Sequence, residues 1–238
     1  AIRRQRQMCI RDRIYLDDIM ARHKLGHDKT VLDDLLDLMA SAVGSLTNPV
    51  RIANTFSSVK GLSVTNDTVG RYLDYFIDAF MLYRAKRYDV KGRKQIGSPM
   101  KYYYSDVGLR NARLNFRQQE ENHIMENILY NELRVREFDI DVGVVEVTVR
   151  DDEGKNKRVQ YEVDFVANRG SKRYYIQSAF AIPDEEKRKQ EIRPFTKIQD
   201  SFKKIVVVRE DIEPWHDENG ILFIGIEQFL LDESAIDI

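Results

Sequence analysis

The period of the apolar residues changes from 3.6 to 2 after a helix predicted at residues 118–138, and this change limits the possible folds. Before it, three segments keep apolar residues at helical spacing. After it, three segments alternate as half-buried strands do. A chain of 238 residues is long enough for two small domains. The pattern predicts a helical domain over 14–115 and an α/β domain over 116–238.

The first domain is predicted to contain a helix-turn-helix. Asn48 and Pro49 are typical of a helix start, and Gly61 of a helix end. The following helix is capped by Thr65 or Asn66. The predicted buried faces of the first and third helices comprise Leu32, Leu35, Leu36, Met39, Val43, Val69, Leu73, Phe76, Ile77 and Phe80.

A basic β-hairpin is predicted directly after the third helix, which would make the domain a winged helix. Its strands read LYRAKRYDV and KYYYSD, with a polar tip KGRKQIGSPM between them. The only acid among residues 84–101 is Asp89, whereas the basic residues are Arg84, Lys86, Arg87, Lys91, Arg93, Lys94 and Lys101. Such clustered positive charge in a mildly acidic chain is typical of a nucleic-acid contact.

The winged-helix hypothesis assigns a role to six residues. Asn66, Thr68 and Arg71 would face the major groove of duplex DNA, and the phosphates would be contacted by Lys91, Arg93 and Lys94. The alternative is a winged helix that binds a protein or packs domains together, with a solvated basic tip.

The second domain is predicted to be a mixed α/β unit. Its strands are DVGVVEVTV, RVQYEVDFVA and KRYYIQSAF, followed by a charged surface helix that starts near Pro183. KKIVVVRE is an apolar run of the kind that is buried on both faces of a sheet. ILFIG and IEQFLLDE complete the unit.

The order of these elements is that of a restriction-endonuclease-like core, whose chemistry needs two carboxylates and a lysine around Mg²⁺. A hairpin turning near 169–171 places Asp164 opposite Gln177, and Glu126 on the preceding helix could be a third ligand. Gln177 stands where a glutamate is needed and Ala179 where the lysine is needed. Glu162, on the same strand face as Asp164, could substitute as a metal ligand. The sequence therefore predicts a degenerate, inactive nuclease-like site with little capacity for Mg²⁺.

Residues 14–238 resemble the C-terminal portion of a bacterial and archaeal family of AAA-type P-loop ATP-binding proteins. The resemblance rests on DTVGRYLDYFIDAFMLYRAKRYDVKG, KYYYSDVGLRNA, ENILYNELR, EVDFVA, YIQSAF, RPFTKIQDSFKKIVVV and GILFIGIEQFLL. It implies a winged-helix region followed by a restriction-endonuclease-like domain of unknown function. The family's ATPase domain precedes these regions, and no stretch of this chain has the Walker A pattern. ATP and Mg²⁺ are therefore expected only in a missing N-terminal domain.

Residues 1–13 are set apart from the rest by five arginines and one aspartate. Without them the net charge changes from −1 to −5. The string QMCIRDR resembles translated sequencing-adapter read-through, so the segment is predicted to be an artefact that replaces the true N-terminus. The alternative is a basic arm that contacts nucleic acid.

Three functions are consistent with these patterns. The first is a DNA-binding accessory region of an ATPase; the second is a protein-interaction scaffold without nucleic-acid binding; the third is a Mg²⁺-dependent nuclease. With one cysteine, Cys9, and no apolar run of membrane-spanning length, the expected location is the cytoplasm and no membrane partner is expected.

Overall fold

The computed structural model of the protein describes residues 14–25, 29–61, 63–117, 120–150 and 154–237. The predictions for residues 1–13 lie outside these ranges. The chain divides into two compact units, and the division is interleaved. The first unit takes the described residues up to Ala85 together with 98–127; the second takes 86–97 together with 128 onwards. The predicted boundary at 115/116 thus falls inside the second segment of the first unit.

The first unit contains the predicted helices. Residues 14–23 are helical and form α1. The next helices are α2 (Lys29–Ser41), α3 (Pro49–Thr55), which continues into a π-helical turn (Phe56–Lys60), and α4 (Asn66–Asp78). The unit ends with α5 (Val107–Arg113) and the first part of α6 (Glu121–Val135).

The predicted helix boundaries in this unit follow from capping. The Asn48 side chain accepts a hydrogen bond from the Arg51 amide, and Gly61 ends the π-helical turn with a φ of 64°. Thr65, one of the two predicted caps, accepts from the Thr68 amide. The predicted face is buried at Leu32, Leu35, Leu36, Met39, Val43, Val69, Leu73 and Phe76. Of the other two predicted residues, Ile77 is half-buried, and Phe80 is 71% exposed because α4 ends before it and its φ is 55°.

The strands form one mixed eight-stranded sheet in the order β2-β1-β3-β4-β5-β6-β8-β7. Their bounds are β1 Leu82–Asp89, β2 Lys94–Tyr104, β3 Asp139–Arg150, β4 Asn156–Arg169, β5 Lys172–Ala179, β6 Lys203–Val208, β7 Trp215–His216 and β8 Leu222–Gly225. The prediction of a mixed α/β protein is confirmed at this level. The predicted polar tip was too long, because β2 already begins at Lys94.

Within the second unit β3, β4 and β5 are antiparallel neighbours, whereas β6 runs parallel to both β5 and β8. The parallel β5–β6 connection carries α7 (Glu185–Ile192) and a 3-10 turn (Phe195–Lys197). The chain closes with α8 (Ile226–Leu231) and a 3-10 turn (Glu233–Asp237). As predicted, β6 is buried on both faces from Ile205 to Val208.

Across the described part of the chain, none of the helices combines the length and the apolar character needed to span a bilayer.

Candidate functional site

The tip of the β1–β2 hairpin is a tight turn fixed by Asp89. Its carboxylate accepts a hydrogen bond of 2.9 Å from the Gly92 amide. Any side chain at position 92 would collide with this carboxylate, since a Cβ atom there would lie 2.2 Å from Oδ2. Within the turn, the Lys91 ammonium donates to the Glu146 carbonyl of β3 at 2.9 Å. The turn therefore holds this part of the hairpin against the adjacent strand.

Six of the seven basic residues predicted on the hairpin separate into two groups, and the seventh, Lys86, is exposed on β1. Lys91, Arg93 and Lys94 are exposed at or beside the tip, as a phosphate contact requires. The bond from Lys91 to the Glu146 carbonyl is to a neutral group and leaves the positive charge of Lys91 uncompensated by that contact. Three others are occupied within their own units. Lys101 is buried and donates to Glu126, Arg84 pairs with Asp74, and Arg87 donates to Gln160. The positive charge available to a ligand is thus concentrated at the tip.

A second basic hairpin, which the sequence analysis missed, belongs to the same unit. β1 pairs in parallel with β3, from Arg87 opposite Val142 to Asp89 opposite Val144. β3 then continues beyond the β1–β2 tip into the hairpin with β4. The exposed cations at and near the tips of both hairpins form what is called here the basic edge: Lys91, Arg93, Lys94, Arg150, Lys155, Lys157 and Arg158.

Acidic residues moderate the charge of the basic edge. Glu146 lies 3.6 Å from the Arg158 guanidinium, and Asp89 is committed to the turn. The sequence Asp-Asp-Glu at 151–153 lies outside the described residues. Parallel pairing of strands more than fifty residues apart leaves no local signal, so only the fold reveals that the two clusters share one edge.

The three residues predicted to enter the major groove lie in the first turns of α4, in the first unit. Asn66 and Arg71 are exposed. Thr68 is half-buried, and its hydroxyl is 3.0 Å from the Thr65 hydroxyl and accepts from Arg71 at 3.3 Å. These bonds secure the helix start, while Asn66 and Arg71 remain accessible to a ligand.

Asp164 and Gln177, the centre of the predicted nuclease-like site, are neighbours across β4 and β5. The register pairs Phe165 with Ile176, which places Asp164 opposite Gln177 as predicted. The Asp164 amide donates to the Gln177 side-chain oxygen at 3.4 Å. Asp164 itself is buried and accepts a hydrogen bond of 2.9 Å from the Ser178 amide.

This donor set fits Mg²⁺ poorly. The Gln177 oxygen and one Asp164 oxygen already accept backbone hydrogen bonds, and Ala179 is buried where a lysine would be required. Glu162 is half-buried on the same strand. Among residues 14–237, leaving aside the undescribed gaps, no group of three His, Cys, Asp or Glu side chains could hold a metal ion.

Glu126, the third predicted ligand, belongs to the first unit and is buried there. One of its oxygens accepts from the Lys101 ammonium at 2.8 Å and from the Tyr103 hydroxyl at 2.7 Å. The next residue, Asn127, exchanges two hydrogen bonds with the backbone of Tyr104. The side chains of Glu126 and Asn127 therefore attach α6 to β2, which is a structural role.

Residues 3–120 match the family described as "Domain of unknown function (DUF8612)". This span includes most of the segment 1–13. The chain is also 31% identical over 221 residues to an uncharacterized protein of Haemophilus influenzae, covering 92% of this chain and 50% of that protein. The chain thus spans half the length of this relative.

A solved structure, that of protein VC1899 from Vibrio cholerae, is similar over 84% of this chain and 53% of its own, at 12% identity. Its TM-score of 0.31 is too low to establish a shared fold.

Proposed function

We propose that this chain is a DNA-binding accessory region that contacts duplex phosphates through the basic edge. The observation that carries this proposal is the accumulation of seven exposed cations on two adjacent hairpins of one unit. Phosphate contacts by lysine and arginine supply most of the sequence-independent affinity for DNA. Exposed side chains on hairpin tips can reach the phosphate backbone of DNA without any movement of the sheet.

The proposed architecture is a winged-helix-like region followed by a restriction-endonuclease-like domain. The order α6, β3, β4, β5, α7, β6 supports the second part, since it repeats the helix–strand–strand–strand pattern of that core. The buried Ala179 and the backbone-bonded Asp164 support a site that has lost metal-dependent cleavage. On this proposal the domain serves as a platform for binding.

The proposed context is an AAA-type ATP-binding protein of the cytoplasm. The relative from Haemophilus influenzae supports it, because half of that protein lies outside the similar region and leaves room for a further domain. ATP and Mg²⁺ would bind to that further domain. Asn66 and Arg71 would add contacts from α4.

The test is a charge reversal at the tip, Lys91→Glu, Arg93→Glu and Lys94→Glu together. Duplex binding is measured by fluorescence anisotropy over a range of salt concentrations. We expect the variant to lose salt-sensitive binding, and any residual binding to show a slope of log K against log salt that is smaller by about 3, because each lost phosphate contact removes about 0.9.

The matched control reverses three exposed lysines elsewhere, Lys189, Lys197 and Lys203, which changes the net charge equally. It should bind like the wild type. If both triple variants lost duplex binding equally, the loss would be explained by net charge alone. Unchanged binding by the tip variant would refute the proposal. If the wild type does not bind duplex at low salt, a protein-interaction scaffold becomes the better account.

A further inference from the structure

The second unit contains a cavity of about 750 Å³ at the carboxyl ends of β5 and β6. These strands run parallel, and the cavity is lined by residues that directly follow them, such as Ala181 after β5 and Glu210 after β6. In open α/β sheets the crevice outside the carboxyl ends of parallel strands is where ligands bind. The volume is within the usual range of small-molecule sites. None of the residues assigned to DNA contact lines it.

The cavity has an apolar interior and an acidic rim. Ile182, Val208, Ile212, Trp215 and Phe223 supply apolar surface. Trp215 is stacked on Phe223, with ring centroids 4.4 Å apart and an angle of 8° between the ring planes, and it remains 42% exposed. The stacking fixes the position of the indole. The charged residues of the lining are Asp184, Glu185, Arg188, Glu210 and Glu218.

Arg188, the one cation among the described residues of the lining, is already occupied by carboxylates. Its guanidinium donates two hydrogen bonds of 2.8 Å to Glu185 in a fork, and a third of 3.4 Å to Glu218. Asp217 lies 3.7 Å away. These bonds hold the pKa of Glu185 below its usual value. Arg188 therefore ties α7 to the 217–218 turn, and its remaining nitrogen, Nη1, lies beside the Asp217 carboxylate.

The charge that remains around the cavity is negative. Asp184 caps α7, where its carboxylate accepts a hydrogen bond from the Lys187 amide. Glu210 and Glu218 are exposed at the rim. Four carboxylates against one shared guanidinium repel anions and attract cations. An exposed indole adds a face that favours a cation through its quadrupole.

We propose that this cavity binds a small organic cation with an apolar body, such as an aromatic or branched aliphatic amine. The apolar interior takes the hydrocarbon part, and the ammonium group lies among Glu210, Glu218 and the face of Trp215. This function is independent of DNA binding, and the acidic rim excludes nucleotides and other phosphates.

Trp215 is the only tryptophan of the chain, so its fluorescence reports on the cavity alone. The wild-type chain is titrated with 2-phenylethylamine. The neutral 2-phenylethanol and the anionic phenylacetate, which carry the same phenyl group, are titrated for comparison. We expect a saturable change with the amine, binding about tenfold weaker with the alcohol, and none with the acid. Calorimetric titration of the same three probes detects a probe that binds without changing the indole emission.

The variant Glu210→Gln/Glu218→Gln should bind the amine about fivefold more weakly and the alcohol unchanged. The control is Glu213→Gln/Glu227→Gln, which removes two exposed carboxylates outside the lining and should bind like the wild type. Equal affinity for the amine and the alcohol, preference for the acid, or no binding in either measurement would each overturn the proposal.

Discussion

Glu126 shows how a residue's environment decides its role. In sequence it is one of several acids on a charged helix, and the same residue type could be a surface group or a metal ligand. In the fold its side chain is 11% exposed and that of Lys101 is 5% exposed, with 2.8 Å between their charged atoms. The partner lies 25 residues earlier on another element, so no local pattern could have identified it.

Removing one member of this buried pair should be costly. The change Lys101→Met leaves the Glu126 carboxylate buried beside the Tyr103 hydroxyl without its ammonium partner, and we expect the free energy of unfolding to fall by about 3 to 5 kcal/mol. Urea denaturation measures the loss. Adding Glu126→Gln should recover part of it, because the second change removes the uncompensated charge.

The matched control is Arg84→Met, which breaks an exposed ion pair with Asp74 in the same unit. Exposed pairs contribute at most about 1 kcal/mol. A loss at Lys101 no larger than the loss at Arg84 would show that the buried pair is not a principal stabiliser of this unit.

Strands were predicted less completely than helices at the element scale. Helix starts can be predicted from local capping residues. Asn48 caps α3 as predicted, and Thr65, one of the two predicted caps, caps α4. β2 begins at Lys94 although Gly97, Ser98 and Pro99 are typical of a turn, because pairing within the sheet outweighs their local preference. β7 has only two residues, too few for any alternation to appear.

Gly143 is a position where the sheet leaves no space for a side chain. It follows a register shift between Asp141 and Gly143 in the β3–β4 ladder. A Cβ atom there would lie 2.8 Å from Val163 Cβ and 2.9 Å from Val166 Cγ2. We therefore expect Gly143→Ala to reduce the free energy of unfolding by about 1 to 3 kcal/mol, measured by urea denaturation.

Gly97→Ala is the control for this prediction. Gly97 is also a strand residue, but no atom lies within 4 Å of the position of its Cβ. Alanine there should be neutral or slightly stabilising, because it restricts the unfolded chain. Equal stability of the two variants would contradict the prediction. It would show that the residues around Gly143 move to accommodate the added methyl group.

At the scale of the whole molecule, the order of the helices and strands could be predicted from the sequence, but their division between the two compact units could not. The sequence placed a boundary at 115/116, after the hairpin. The structure assigns 86–97 to the second unit, although these residues lie between two segments of the first. Parallel pairing of β1 with β3 causes this assignment, and single-sequence periodicity carries no information about which strands pair.

A fragment of residues 116–238 should therefore be incomplete at one edge. It lacks Arg87–Asp89, the partners of Val142–Val144, so the backbone groups of β3 that face β1 lose their hydrogen bonds. Hydrogen exchange followed by mass spectrometry should show faster exchange in β3 of the fragment than in the full chain. β6, which keeps both neighbours β5 and β8, is the internal control.

Equal protection of β3 in the fragment and in the full chain would contradict this prediction. Loss of protection in β6 as well would show that the unit cannot fold at all without residues 86–97.

The interleaved division of the chain into two units also limits how the protein can evolve by gene rearrangement. The chain passes from one unit to the other at 85/86, 97/98 and 127/128. A gene rearrangement with a single breakpoint can exchange either end of the protein, but it cannot transfer one whole unit and leave the other intact. The two units should therefore share one ancestry and be passed on together, unlike modules joined by a linker, which genomes reshuffle freely.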